Sequence, residues 1–131
     1  MKKSMVFIAG CFSFVLGLFH VYLGWKIHGL GALSPEHRAL MEMLNISTGL
    51  LVFLLAIGCT LFIDEVLSTR VGRLILVFGF LLYAMRAIGE VILFPTFNVV
   101  IFMICVLVAI LCVVPLLHRP HDTPRTTHAS P

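Results

Sequence analysis

Four long apolar runs alternate with short polar intervals along the chain, and each run reaches the ~20 residues that a helix needs to cross a bilayer. They cover residues 5–25, 38–63, 74–94 and 97–117. The second run opens on Ser34-Pro35-Glu36, which supplies an N-cap hydroxyl, a proline at the first helical position and an acid in the first turn. Its first turns remain polar (His37, Arg38, Glu42, Asn45, Ser47, Thr48), whereas Gly49 to Ile63 is almost wholly apolar. Asp64 to Arg73 reads as a loop, Pro95 ends the third run, and Pro95-Thr96-Phe97-Asn98 forms a short uncharged turn. From His118 onward, a tail rich in Pro, Thr and His is predicted to be disordered. Met1-Lys2-Lys3 and Ile8-Ala9-Gly10-Cys11 have the look of a leader with a lipoprotein cleavage site. The apolar run continues past Cys11 to Trp25, so this segment is read as the first span.

Composition confirms the setting. Of 131 residues, 60% are hydrophobic and 11% charged, and the mean hydropathy is +1.11. Soluble domains carry about 25% charge. The predicted fold is all-α, a polytopic membrane protein built as a four-transmembrane-helix bundle, with no room for a soluble catalytic domain. The formal charge of +3 is small and its basic residues sit at loop ends, which points to topology and away from nucleic acid. Lys2, Lys3, Arg70, Arg73, Arg119 and Arg125 collect on one face against Lys26 and Arg38 on the other. Both termini, with the 118–131 tail, are therefore expected in the cytoplasm, the protein being multi-pass in a bacterial inner membrane. Cys11, Cys59, Cys105 and Cys112 form no Cys-x-x-Cys pair and read as small core hydrophobes.

The polar residues inside the spans carry what chemistry there is. Arg86 and Glu90 lie four residues apart on one helix face, at a depth where a charge costs roughly 2.5 to 3.5 kcal/mol and so seeks a partner. Tyr83 shares that face, and Glu42 and His20 are the expected additional partners from other helices. In the first span Gly17, His20, Gly24 and His28 make one stripe, and Arg38, Glu42, Asn45 and Gly49 make another in the second. With Asn98, these groups gather in the outer half of the bundle. They predict a polar pocket opening outward, with Arg86, Glu90, Glu42, His20, Asn45 and Tyr83 as ligand-binding residues. An ion-pair network that only fixes helix register is the alternative. His20 is also a potential axial haem ligand, with His28 or His37 as the second, or a hydrogen-bonded core histidine.

The segments Phe19-His20-Val21-Tyr22-Leu23-Gly24-Trp25 and Leu33-Ser34-Pro35-Glu36-His37-Arg38-Ala39-Leu40-Met41, followed by Leu44-Asn45, resemble a pattern of small bacterial four-helix membrane proteins. In helix number and length the chain is similar to the DoxX-like group. That resemblance implies a four-helix fold and an association with membrane redox enzymes, and it transfers no catalytic residue. The expected function is binding of a small amphiphile, a quinone or a lipid, or service as an accessory subunit of a redox system. The expected partners are the lipid bilayer, a membrane protein or a second copy. A small transporter, a haem-binding membrane protein and a purely structural subunit are the other classes. Small four-helix exporters carry a carboxylate in the first span, and this chain has none there. No nucleophile with a base, phosphate loop or nucleotide motif is present, which speaks against an enzyme acting alone.

Overall fold

The structure is a computed structural model, and it describes residues 1–29, 31, 34–92 and 97–117. Five helices follow one another: α1 (Lys2–His28), α2 (Pro35–Leu61), α3 (Ile63–Ser68), α4 (Arg70–Ile92) and α5 (Val99–Leu117). All but α3 are long and apolar enough to cross a membrane. The tail 118–131, the end of the third predicted span with Pro95, and part of the 26–34 loop lie outside the described residues.

The ends of the helices follow from local chemistry. Ser34 caps α2 as expected, its Oγ accepting from the His37 amide at 3.4 Å, with Pro35 in the first turn. Asn98 caps α5, its Oδ1 accepting from the amides of Val100 at 3.1 Å and Ile101 at 3.2 Å. The interval Asp64 to Arg73 is not a loop. After α2 ends at Leu61, Asp64 and Glu65 occupy the first turn of the short α3, and α4 begins at Arg70. The cause is Thr69, whose extended backbone (φ −96°, ψ 159°) and Oγ1, accepting from Gly72 N at 2.9 Å, form an N-cap. That hydrogen bond adds a turn to the helix ahead of Leu74.

Packing proceeds by hairpins. α1 and α2 run antiparallel with a fixed register: His28 faces Glu42, Gly24 faces Asn45, His20 faces Gly49, Gly17 faces Phe53 and Gly10 faces Cys59. The two stripes read from the sequence are thus the two halves of one seam. A Cβ at Gly24 would lie 3.2 Å from Asn45 Nδ2 and one at Gly49 3.1 Å from His20 Cβ, so small residues let the backbones approach. α4 and α5 form the second hairpin, and α1 joins the hairpins by packing on α5. Val6, Leu55, Cys59, Leu76, Val108 and Cys112 occupy the shared core. The outward faces remain apolar, with Val21, Leu54, Ile88 and Val100 more than half exposed, as a lipid-facing surface requires. Trp25 is 82% exposed at the end of α1, and the Lys26 Nζ sits 5.6 Å from the Tyr22 ring centroid, an arrangement suited to the headgroup level. Cys59, Cys105 and Cys112 are buried, while Cys11 is exposed on the outer face of α1.

The tightest approach is between α3 and α4. A Cβ on Gly72 would overlap the Glu65 carbonyl oxygen and the Val66 backbone, neither of which can rotate away. At Gly58 a Cβ would have Ile75 Cγ2 as its nearest neighbour, at 3.7 Å. Gly72→Ala is therefore expected to destabilise the bundle by about 1–3 kcal/mol. Gly58→Ala should be neutral or stabilise by up to about 1 kcal/mol through helix propensity. Unfolding of both variants in detergent, followed by circular dichroism, checks the contrast.

Candidate functional site

The polar residues of the four long helices gather toward one end of the bundle, where α1 and α4 finish and α2 and α5 begin. They resolve into separate clusters. Glu90, 3% exposed, accepts from Arg86 Nη1 at 2.5 Å through Oε2 and from the Asn98 backbone amide at 3.1 Å through Oε1. One carboxylate thus holds the guanidinium on its own helix and ties the start of α5 to the end of α4. A further partner of the pair comes from α5, through the Asn98 amide.

His20 and Asn45 make the second cluster. Asn45 Nδ2 donates to the His20 carbonyl at 2.7 Å, which turns Asn45 Oδ1 toward His20 Nδ1 at 2.8 Å. An amide oxygen can only accept, so Nδ1 carries the proton, and in the neutral ring Nε2 is left as the acceptor. Both polar atoms of Asn45 are engaged in the α1–α2 seam.

The third cluster is Glu42 with His28, Oε1 to Nδ1 at 3.1 Å, at the outermost part of the same seam. His37 is hydrogen-bonded to Ser34 at 2.6 Å. His28 follows His20 by two turns of α1, about 12 Å along the axis, so the two do not face each other as axial ligands. A haem held between His20 and either His28 or His37 does not fit this arrangement. Among the described residues, no three His, Cys, Asp or Glu side chains gather as metal ligands.

Between the hairpins lies a chamber of about 310 Å³, lined from all four spanning helices. Leu16, Phe19 and Leu23 of α1, Val52 of α2, Leu82 of α4 and Ile101 of α5 make its walls apolar. His20, Thr48, Tyr83 and Arg86 bring the polar atoms. Thr48 Oγ1 donates to the Leu44 carbonyl at 2.9 Å and is satisfied within its own helix. Tyr83 contributes its ring, because its hydroxyl donates to the buried Ser13 Oγ at 2.8 Å. His20 and Arg86 complete the polar lining.

Of the six residues expected to bind a ligand, His20, Tyr83 and Arg86 line the chamber and Glu90 stands directly behind Arg86. Asn45 orients His20 and borders a groove on the other side of the α1–α2 seam, and Glu42 is placed at His28. The sequence reading missed the Tyr83–Ser13 link and the cap that Asn98 shares with Glu90. Ser13 extends the Gly17, His20, Gly24 stripe by one turn, a signal that was available. No family model, no curated protein and no solved structure matches the chain.

The His20–Asn45 unit supports a quantitative test. Interhelical hydrogen bonds inside membranes are worth about 0.6 kcal/mol on average and up to about 1.7 kcal/mol. A double-mutant cycle of His20→Ala and Asn45→Ala, read by unfolding in mixed micelles, should give a coupling energy in that range. The cycle of Asn45→Ala with Tyr83→Phe, which share no bond, should be additive within about 0.5 kcal/mol.

Proposed function

We propose that this is a multi-pass protein of a bacterial inner membrane, with both termini in the cytoplasm, whose chamber binds a small amphiphile such as a quinone or a lipid. It acts alone or as the accessory subunit of a membrane redox system. The orientation rests on Lys2, Lys3, Arg70 and Arg73 at one end of the bundle against Lys26 and Arg38 at the other. On that orientation the chamber lies toward the outer side. The observation that carries the binding reading is the chamber itself: an apolar cavity reached by all four spanning helices, with a guanidinium and an imidazole among its lining groups. Arg86 donates to a carbonyl oxygen of the ligand, Glu90 balances its charge, and His20 accepts or returns a proton through Nε2. The redox association rests only on the resemblance to the DoxX-like group in helix number and length.

A second reading, a bundle in which Arg86 and Glu90 serve only as scaffold, is favoured by one feature. Glu90 bonds the amide that opens α5, a role complete without any ligand. The two readings separate on gentle purification from membranes, followed by an optical spectrum and mass analysis of the lipid extract. The wild type is expected to carry a bound amphiphile. A hydrogen bond from a charged donor is worth about 1.5–3 kcal/mol, so a folded Arg86→Ala protein should retain the amphiphile roughly 10- to 100-fold less well. Thr48→Phe, which narrows the chamber and leaves the ion pair intact, should lose it too. An empty wild type, or full retention by both variants, overturns the binding reading.

A further inference from the structure

The chamber is too small for the whole of a long-chain amphiphile. At about 310 Å³ it stands at the lower end of the roughly 300–1,000 Å³ that ligand pockets span, room for a ring-sized head and little more. Any tail must leave through a wall. The α1–α2 wall is closed by the stripe-to-stripe seam and its His20–Asn45 bonds. The α4–α5 wall is a continuous hairpin contact, with a Cβ on Gly79 falling 3.1 Å from Cys112 Sγ, and α1 packs directly on α5. The remaining wall is different. α2 and α4 share few contacts, and where their glycines bring them together, Leu55 with Gly79 and Ile75 with Gly58, the meeting lies toward the Lys3 end. Toward the Asn98 end they stand on opposite banks of the chamber, Thr48 and Val52 on one side, Leu82, Met85 and Arg86 on the other. Met85 lines the chamber and is 67% exposed, so that bank reaches the outer, lipid-facing surface.

The polar end of the chamber also selects the head. The Arg86 charge is balanced by Glu90 at 2.5 Å, and the Asn45 bond takes up Nδ1 of His20, which makes Nε2 the acceptor of the neutral ring. A phosphate or carboxylate head would add an uncompensated charge at bilayer depth, a cost that an uncharged head avoids. A guanidinium donor beside an imidazole acceptor complements a head carrying both a carbonyl and a hydroxyl oxygen.

Resting on the binding reading above, we infer that the chamber is a lateral port. A long-chain amphiphile with an uncharged carbonyl- or hydroxyl-bearing head enters from the bilayer through the crevice between α2 and α4, its head at Arg86 and His20 and its tail left among the lipids. Isoprenoid quinones and neutral glycerolipids share this chemistry.

The test closes the crevice after folding. Thr48→Cys and Met85→Cys are combined in a chain carrying Cys11→Ala and Cys105→Ala, placed in nanodiscs, bridged with a flexible bismaleimide and photolysed with an azido-decylubiquinone. Each protein carrying only one of the two introduced cysteines, with the buried Cys59 and Cys112 retained throughout, is treated identically as a control. Labelling is expected within 48–52 and 82–86 of the unbridged protein, and to fall at least tenfold on bridging but not in the controls. Competition identifies the source: displacement by decylubiquinone more than by a monoacylglycerol assigns the port to quinones, and the reverse order to neutral glycerolipids. Labelling that survives bridging overturns lateral entry and leaves binding intact. Competition by palmitate or phosphatidic acid equal to that of the neutral compounds overturns the uncharged head. Absence of label from every form overturns this inference, and if the wild type also purifies empty, the binding reading falls with it.

Discussion

Inside a bilayer there is no water to satisfy a polar group, so each donor and acceptor at depth must find its partner in the protein. That constraint organises this bundle. Ser47, Thr48 and Thr60 turn their hydroxyls back onto carbonyls of their own helix, at 2.9, 2.9 and 2.7 Å, and so leave the seams free of obligations. Groups that cannot be satisfied locally fix how helices meet. Asn45 requires a donor and an acceptor at once, and His20 offers both, from ring and backbone. Tyr83 reaches Ser13 across the core and thereby ties α4 to α1, two helices from different hairpins. Glu90 joins α4 to α5 through the Asn98 amide. Each polar contact is a clasp between helices that dispersion alone would leave free to slide.

The same constraint explains what was legible in the sequence. Span number and the Ser34-Pro35 start follow from hydropathy and capping, both local properties, and the structure has both. The stripes Gly17, His20, Gly24, His28 and Arg38, Glu42, Asn45, Gly49 were visible because helical period is local too. Their mutual mating was not, since periodicity gives the face of a helix and says nothing of which neighbour it meets. Hence polar residues expected to converge on one pocket divide between a seam and a chamber. Glu42 and Asn45 belong to the first, Arg86 and Tyr83 to the second, and His20 to both. The interval from Asp64 to Arg73 differs from its loop reading for a related reason: its charged residues resemble a loop in hydropathy, whereas the Thr69 cap and the close α3–α4 contact at Gly72 act through hydrogen bonding and shape.

Sharing His20 between seam and chamber has a chemical consequence. The bond to Asn45 fixes both the orientation of the ring and its tautomer, so the nitrogen available to an occupant is the acceptor in the neutral state and becomes a donor only on protonation. A side chain held in this way is preorganised, and a ligand that meets it does not have to supply the entropy of ordering it.

Arg86 is held by a different logic. Its carboxylate partner is anchored from the far side by the α5 amide, so the guanidinium is fixed through a buried group that the helix junction itself requires. Removing Glu90 would therefore disturb fold and chamber together, whereas removing Arg86 leaves Glu90 still bonded to Asn98. The scaffold and binding readings overlap at the carboxylate and part at the guanidinium, whose side chain keeps 37% of its surface exposed and lines the chamber. A pair needed only to lock register would gain nothing from that exposure in a medium where an accessible charge is costly. The geometry of Arg86, more than the presence of the pair, is what the proposed binding reading rests on.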